Sequence, residues 1–307
     1  MWRKYSLFLI LLLFCSFSAE RDPGKEYHDD SLRVQQPALI TFGTIADLQY
    51  CDCEPSGNRF YRNSLAKARE AVATFENERV DFVINLGDLI DKDIRSYEAP
   101  MEIFNNSSLT YYHCAGNHDL FPTRREQNRV PHLSMSNPYF SFSQKGFRFI
   151  ILDATDVSSF SWSAKRRKEA YILIEGLKSQ GKEYGESYNG ALGEEQMNWL
   201  KKELEESVAA SENVLIFCHN PVWPEGRHNL LNSEDILNMM AGFDNIIAWF
   251  NGHNHSGSYG NRHLIHFVGL KGMVETETVY SYSVIEIYSN KIWIKGYGSE
   301  KSQILAY

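Results

Sequence analysis

The sequence predicts a mixed α/β fold in which helices cover the outer faces of β-sheets. Short apolar runs that end in polar residues or glycine recur along the chain, as expected for buried strands. Stretches with apolar residues at helical spacing separate the earlier runs, which indicates strand–helix alternation. The C-terminal part is rich in strand patterns. We expect one domain, because 307 residues with 43% hydrophobic content suffice for one large core and no repeat or long linker divides them.

The first 18 residues have the layout of a secretory signal peptide, with two basic residues before an apolar stretch and cleavage expected after Ser18. The apolar stretch is shorter than the ~20 residues that a membrane-spanning helix needs. We therefore expect no stable membrane span and a secreted, secretory-pathway or periplasmic protein, with an uncleaved anchor as the alternative. The polar residues 19–36 are predicted to form a flexible leader before a single domain of residues 37–307.

The predicted strands are apolar runs with polar or glycine residues at their ends, and the last two form a predicted hairpin around Ser289-Asn290. They are Leu39–Ala46, Phe82–Leu86, Tyr111–Ala115, Phe147–Leu152, Val214–Cys218, Ile246–Asn251, His263–Leu270, Tyr282–Tyr288 and Lys291–Tyr297. The predicted helices have apolar residues at helical spacing. They are Asn63–Arg79, Ser163–Ser179, Leu192–Ala210 and Ser233–Met240.

The cysteines do not suggest a disulfide framework. Cys15 lies in the predicted signal peptide, and Cys51 and Cys53 are too close in sequence for an easy mutual bridge. Cys114 and Cys218 lie inside predicted strands and are expected to be buried thiols.

The net charge of −8 argues against a protein that coats nucleic acid. An acidic protein can still act on an anionic small molecule if metal ions supply the positive charge locally. The sequence gives no indication of the oligomeric state.

Seven scattered residues point to a site for two metal ions, because each follows a predicted strand and ligands of α/β proteins bind beyond the carboxyl ends of strands. They are Asp47 and Gln49 in Ala-Asp-Leu-Gln, Asp88 in Gly-Asp-Leu-Ile-Asp, Asn117 in Gly-Asn-His-Asp, His219 in Cys-His-Asn, and His253 and His255 in Gly-His-Asn-His. Oxygen donors mixed with imidazoles suit a pair of divalent ions better than a structural zinc, which favours thiolates.

The seven donors divide into two groups that share one carboxylate. Asp88 is the candidate bridging ligand, since two ions that act on one phosphoryl group need a shared carboxylate. The first group adds Asp47, Gln49 and His255, and the second adds Asn117, His219 and His253. His118 could protonate a leaving oxygen, and Asp119 either orients that imidazole or caps the following turn.

Each segment taken alone has a simpler explanation. A single Gly-Asp is most often a turn, Gly-Asn-His-Asp a polar loop, and an isolated histidine a satisfied core residue. The occurrence of all five segments after strands, in one order, favours the metal site.

With these motifs the chain resembles the calcineurin-like metallophosphoesterase family, whose segments occur in the same order between Ile40 and about Glu275. The resemblance implies a four-layer α-β-β-α sandwich of two mixed sheets, with two metal ions above them. It also implies that a hydroxide held between the ions is the nucleophile.

One departure points to a narrower branch, because Gln49 replaces the histidine of most members. An amide oxygen favours Mn²⁺ or Mg²⁺ over softer ions. This departure resembles the manganese-dependent ADP-ribose/CDP-alcohol diphosphatases, as do the stretches at residues 59–65, 188–192 and 269–276. Purple acid phosphatases have a tyrosine where this chain has Asp91, so that class is disfavoured. We therefore expect two divalent ions, Mn²⁺ first, with Mg²⁺, Fe or Zn²⁺ as alternatives.

Four residues are candidate substrate contacts. Arg59, Tyr61 and Arg62 could bind a phosphate or a base, although a solvated helix start explains them equally well. Tyr259 follows His255 closely enough to line the pocket, and packing is the alternative.

The predicted function is hydrolysis of the diphosphate in nucleoside diphosphate-X compounds such as ADP-ribose and CDP-alcohols. The alternative is a phosphomonoesterase or a cyclic-nucleotide phosphodiesterase that uses the same donors. A third hypothesis is a binding scaffold without catalysis. Such scaffolds typically lack some ligands, whereas every ligand position and His118 are present here.

Overall fold

The computed structural model describes residues 37–120 and 137–307, so the predicted signal peptide and leader lie outside the described residues. Residues Pro37–Tyr307 group into one structural unit. The strands are β1 Ile40–Ile45, β2 Phe82–Asn85, β3 Tyr111–His113, β4 Phe140–Gln144, β5 Phe147–Ile151, β6 Val157–Ser158, β7 Gly190–Ala191, β8 Asn213–Phe217, β9 Ile246–Asn251, β10 Ser256–Arg262, β11 Ile265–Lys271, β12 Ser281–Ile287, β13 Lys291–Gly298 and β14 Gln303–Ala306.

The described α-helices include all four that the sequence predicts. They are α1 Ser64–Asn77, α2 Glu98–Asn105, α3 Asn117–Leu120, α4 Ala164–Ser179, α5 Glu194–Ala209 and α6 Ser233–Met240. Ser163 caps α4, because its side chain accepts a hydrogen bond from the Arg166 amide. The short helices α2 and α3 were not predicted.

Two six-stranded mixed sheets form the centre of the fold. The first has the order β14-β13-β12-β1-β2-β3, and the second has the order β10-β11-β9-β8-β5-β4. Strands β1, β2 and β3 are parallel to one another, as are β5, β8, β9 and β11. Parallel strands end at a common edge, so the loops after β1, β2 and β3 and the loops after β8 and β9 emerge side by side within each sheet.

The layers are defined by three apolar clusters, and together they confirm the predicted α-β-β-α sandwich. Between the sheets, Phe42 of β1 meets Phe149, Phe217 and Phe250 of the second sheet, with ring centroids 5.8–6.4 Å apart. Helices α1 and α2 cover the other face of the first sheet, and α5 and α6 cover the other face of the second. The central strands of each sheet are therefore buried on both faces.

The expectation for Cys51 and Cys53 was wrong, because the structure joins them in a disulfide. Their Cα atoms are 5.2 Å apart, within the range that a disulfide accommodates. Cys114 and Cys218 are buried free thiols, as predicted.

Within residues 37–120 and 137–307, no helix combines the length and the apolar character that crossing a membrane requires.

Candidate metal centre

The structure brings all seven predicted donors to the carboxyl ends of five parallel strands. Asp47 and Gln49 follow β1, Asp88 follows β2, Asn117 begins α3 after β3, His219 follows β8, and His253 and His255 follow β9. The first four therefore come from the first sheet and the three histidines from the second. Six of the seven side chains are almost completely buried, and His255 is 14% exposed.

Asp88 lies at the middle of the group. Its Oδ2 accepts a hydrogen bond from Gln49 Nε2 at 3.0 Å and lies 3.4 Å from His219 Nε2. Donor atoms of Asp88, His219 and His253 lie within 4.8 Å of one another, as the ligands of one ion do. This position suits a carboxylate that two neighbouring ions share.

The remaining donors extend the group on both sides of Asp88. His255 Nε2 lies 3.4 Å from Asp47 Oδ1 and 3.3 Å from Gln49 Nε2. On the other side, Asn117 Oδ1 lies 3.3 Å from His219 Nε2. The pairing of donors thus follows the two groups that the sequence predicts, and their role as ligands stays a prediction.

Four of the donors stand on strained backbone. The φ angles of Asp47, Gln49, Asp88 and His253 are 52°, 43°, 55° and 63°, in the left-handed region that non-glycine residues rarely adopt. Such conformations cost about 1–3 kcal/mol each and persist where the surrounding structure imposes them, often at functional sites. Left-handed residues just after a strand turn the chain sharply, which directs these side chains back over the strand ends.

Two glycines let neighbouring loops approach the carboxylates. A Cβ on Gly116 would lie 2.1 Å from Asp88 Oδ1, and a Cβ on Gly252 would lie 2.7 Å from Asp47 Oδ2. Any side chain at either position would displace the carboxylate beside it. This explains the glycines of Gly-Asn-His-Asp and Gly-His-Asn-His in physical terms.

Each of the three imidazoles has a hydrogen-bond partner at its second ring nitrogen. His219 Nδ1 lies 2.8 Å from the Leu86 carbonyl, and His253 Nε2 lies 2.9 Å from Asn189 Oδ1. His255 Nδ1 lies 2.7 Å from Glu275 Oε1. Asn189 and Glu275 belong to stretches that carry the branch resemblance, but the sequence assigned them no role.

Of the two roles considered for Asp119, its contacts favour shaping a turn over orienting His118. Its two carboxylate oxygens accept hydrogen bonds from the amides of Asp88, Leu89 and Gly116, and Oδ1 also accepts one from Tyr97 Oη. Asp119 therefore shapes the turn that holds Asp88. The carboxylate on the His118 imidazole is Asp91, whose Oδ1 lies 2.8 Å from Nδ1.

The charges of the group are strongly coupled. Burial raises the pKa of Asp88, but the nearby His219, His118 and His253 lower it more, so that it lies well below its usual range. Burial lowers the pKa of His219 and His255, but Asp88 raises the first to about 9, and Asp47 with Glu275 raises the second to about 10. Burial lowers the pKa of His253 well below its ordinary value. The raised pKa values of His219 and His255, unlike that of His253, favour positive charge beside the carboxylates, where cations would supply it.

The donor set fits hard divalent cations. Gln49 Oε1 is buried and has no hydrogen-bond partner in the described part of the chain. A buried acceptor without a partner costs about 1–3 kcal/mol, which a bound cation would offset. Carboxylate and amide oxygens with imidazoles are ligands that Mn²⁺ and similar ions accept.

Of the four candidate substrate contacts, three are explained by contacts inside the protein. Tyr61 is 3% exposed and packs with Cys51 and Val274, so it is not a surface contact. Arg62 pairs with Asp52 and Glu54.

Tyr259 lies on β10, which is separated from β9 by β11. Its hydroxyl is hydrogen-bonded to Nδ1 of His266. Tyr259 pairs with Val268, and His266 lies nearer the start of β11, so the hydroxyl points away from the edge where the parallel strand β9 carries its donors.

Arg59 is half-buried, and its backbone pairs with that of Glu275, the residue that contacts His255. Burial lowers the pKa of His118 and His255, the neighbouring carboxylates raise it more, and the charge of Arg59 opposes that rise. In the part of the chain that the structure describes, no carboxylate forms an ion pair with its guanidinium. It remains a candidate contact for an anion.

A four-layer sandwich with these donors at its strand ends defines a metal-dependent phosphoester hydrolase. The chain belongs to the calcineurin-like phosphoesterase family, whose model matches residues 40–257.

Similar proteins share nearly the whole length of the chain. The manganese-dependent ADP-ribose/CDP-alcohol diphosphatase of Arabidopsis thaliana is 28% identical over 299 residues, covering 86% of this chain and 95% of the relative. The protein of that name from Homo sapiens is 27% identical, covering 91% of this chain and 96% of the relative. The crystal structure of a dimetal phosphatase from Danio rerio has a TM-score of 0.80 and 26% identity, covering 88% of this chain and 99% of that one.

Proposed function

We propose that this chain hydrolyses the diphosphate of nucleoside diphosphate-X compounds, such as ADP-ribose and CDP-alcohols, with two divalent cations of which Mn²⁺ is preferred. The observation that carries the metal part is the convergence of seven donors around Asp88, with the unpartnered amide oxygen of Gln49 among them. The relatives named for this activity support the substrate part, because they align over nearly the whole chain.

Two sets of residues would hold the cations. Asp47, Gln49, Asp88 and His255 would form the first set, and Asp88, Asn117, His219 and His253 would form the second. When bound, the ions would supply a nucleophile at neutral pH and would offset the negative charge of the diphosphate. The amide at position 49 favours Mn²⁺ or Mg²⁺ at the first position over softer ions.

Two further residues would act on the substrate. His118 is held at Nδ1 by Asp91, so its Nε2 is the atom that would pass a proton to the leaving phosphate oxygen. Arg59 would contact a second phosphate group, since its positive charge acts on both His118 and His255 and it has no ion-pair partner among the described residues.

The test is a comparison of ADP-ribose, CDP-choline, cyclic AMP and p-nitrophenyl phosphate at equal Mn²⁺ concentration. We expect kcat/KM to be highest for ADP-ribose or CDP-choline, with a nucleoside monophosphate among the products. A preference for cyclic AMP or p-nitrophenyl phosphate would overturn the diphosphate assignment in favour of the phosphodiesterase or phosphomonoesterase alternative. Chelation should abolish the activity, and Mn²⁺ should restore it.

We also propose that the mature protein is exported. The predicted signal peptide supports this, and so does the Cys51–Cys53 disulfide, because such bonds persist mainly in oxidising compartments. Sequencing the N-terminus of the protein from its native cells should give a chain that begins after Ser18. A chain that retains residue 1 in a cytosolic fraction would contradict export.

A further inference from the structure

Glu275 lies in the loop after β11 and contacts one predicted metal ligand. Its Oε1 lies 2.7 Å from Nδ1 of His255, and the carboxylate side chain is 25% exposed. We propose that Glu275 is a positioning residue for the first cation set: it accepts the Nδ1 proton of His255 and so leaves the Nε2 lone pair directed at the cation. This inference rests on the metal part of the proposed function and does not depend on the substrate.

The geometry of His255 separates the tasks of its two nitrogens. Nε2 faces the donors, 3.4 Å from Asp47 Oδ1 and 3.3 Å from Gln49 Nε2, whereas Nδ1 faces Glu275. A neutral imidazole carries one proton, and a hydrogen-bond acceptor at one nitrogen keeps the proton there. Without that acceptor the proton is free to occupy Nε2, which would block the ligand atom.

The contact is specific to one side of the metal centre. The second nitrogens of His219 and His253 face neutral oxygens, the Leu86 carbonyl and the Asn189 amide. His255 alone among the three predicted imidazole ligands has a carboxylate there. A carboxylate on a metal-binding histidine makes the ring a stronger ligand, and its loss typically weakens metal binding 10–100-fold. The effect should therefore fall on the first cation set.

The loop that carries Glu275 is held firmly enough to position a side chain. Buried Lys67 Nζ donates hydrogen bonds to the carbonyls of Met273, Glu275 and Thr276 at 2.7, 2.8 and 2.9 Å. The Val274 amide also donates to the carbonyl of Asp47 at 3.0 Å. The loop is thus anchored to α1 and to a predicted ligand of the same cation set.

The test is a titration of Glu275→Gln, Glu275→Leu and the unaltered chain with Mn²⁺. Calorimetry measures the affinities, and electron paramagnetic resonance detects the pair of bound ions. We expect two Mn²⁺ in the unaltered chain. In Glu275→Leu we expect one of the two to bind 10–100-fold more weakly, with loss of the spin-coupled pair signal at limiting Mn²⁺. Glu275→Gln should lie between the two, because its amide oxygen still accepts the Nδ1 proton. Glu277→Leu is the matched control and should bind both ions within twofold of the unaltered chain.

Three outcomes would overturn the inference. If Glu275→Leu binds both ions as the unaltered chain does, Glu275 does not position His255. If both sites weaken equally and the metal-free melting temperature falls, the residue supports the fold rather than one ligand. If the unaltered chain binds no Mn²⁺, the metal part of the proposed function fails as well. The first two outcomes leave the proposed function intact.

Discussion

At the residue scale, the pKa values of two neighbouring buried carboxylates are shifted in opposite directions because their surroundings differ. Asp119 is buried and lies beside Asp88, and these effects raise its pKa to about 6 despite its hydrogen bonds. Asp88 faces the imidazoles, which hold its pKa well below the usual range. Pairs of titratable groups pushed apart in this way indicate a division of roles. Asp88 keeps the charge that a cation requires, and Asp119 fixes the backbone beneath it.

Replacement of the central carboxylate tests that role directly. Asp88→Asn keeps the shape but removes the charge that both cation sets would share. We expect kcat with Mn²⁺ to fall about a thousandfold or more, because several kcal/mol of electrostatic stabilisation are lost. Asp235→Asn, a change of the same kind at an exposed position on α6, should leave kcat unchanged. Full turnover by Asp88→Asn would exclude a shared carboxylate.

The contact between Asp91 and His118 predicts a change in the pH profile. Burial lowers the pKa of His118, but the charges of Asp88 and Asp91 raise it by more, so the pKa lies above its ordinary value. A proton donor must be protonated, so activity falls as pH rises through its pKa. Asp91→Asn removes one of the negative charges that raise the pKa of His118. The alkaline limb of the kcat profile should therefore move to lower pH. We also expect kcat to fall about tenfold or more, with KM little changed.

Asp93→Asn provides the control for this measurement, because that carboxylate pairs with Arg95 at the surface. It should leave the alkaline limb in place. An alkaline limb that does not move in Asp91→Asn would show that His118 is not the proton donor.

At the element scale, the regular helices and central strands could be predicted because their apolar periodicity is strong. The strand β10 was missed, since Ser-Gly-Ser-Tyr-Gly-Asn-Arg has no alternating apolar pattern and forms a strand only by pairing with β11. The predicted start of β11 at His263 was also early. His263 and Leu264 have φ angles of 52° and 64° and form the turn between β10 and β11.

The convergence of the seven side chains could be predicted from sequence because each follows one of five parallel strands, whereas their hydrogen-bond partners could not. Asp91, Asn189 and Glu275 reach the imidazoles only once the two sheets and their loops are packed. No local pattern distinguishes them from other polar loop residues. The same limit explains Asp119, whose position next to His118 in sequence suggested a contact that the fold gives to Asp91.

The loop after β11 depends on one buried lysine of α1. Lys67→Met keeps much of the volume but leaves the carbonyls of Met273, Glu275 and Thr276 without their donor. We expect the free energy of unfolding to fall by about 2–4 kcal/mol, because hydrogen bonds to charged groups contribute more than neutral ones. Urea denaturation of the metal-free protein measures this. Lys202→Met, whose side chain is 72% exposed, should change the free energy by less than about 0.5 kcal/mol. Equal urea midpoints for the two variants would show that the hydrogen bonds of Lys67 to this loop do not stabilise the fold.

At the scale of the whole molecule, a buried neutral histidine makes stability depend on pH. Burial lowers the pKa of His113 from its ordinary 6.5 to about 4. Between these values the unfolded chain binds a proton that the folded chain excludes. The free energy of unfolding that depends on this neutral histidine is therefore fully present above pH 6.5. It is lost as pH falls toward 4, and the loss is at most about 3 kcal/mol.

A comparison with His113→Phe isolates this effect. Phenylalanine suits the site because the rings of Phe104 and Tyr111 lie 6.1 and 6.4 Å away. Between pH 6.5 and 4.5, the free energy of unfolding should fall more steeply in the unaltered chain than in the variant. Parallel pH curves for the two proteins would show that folding does not lower the pKa of His113.

The split of the donors between the two sheets has a mechanical consequence. Each predicted cation set combines oxygen donors from the loops of the first sheet with imidazole from the loops of the second. A cation at either position would join the two sheets at the rim that carries the donors. The opposite rim is held by apolar packing and by contacts such as the hydrogen bond from Lys145 Nζ to the Leu39 carbonyl. Amide protons near the strand ends at the donor-carrying rim should accordingly exchange with deuterium more slowly once manganese is added, and those at the far rim should not respond.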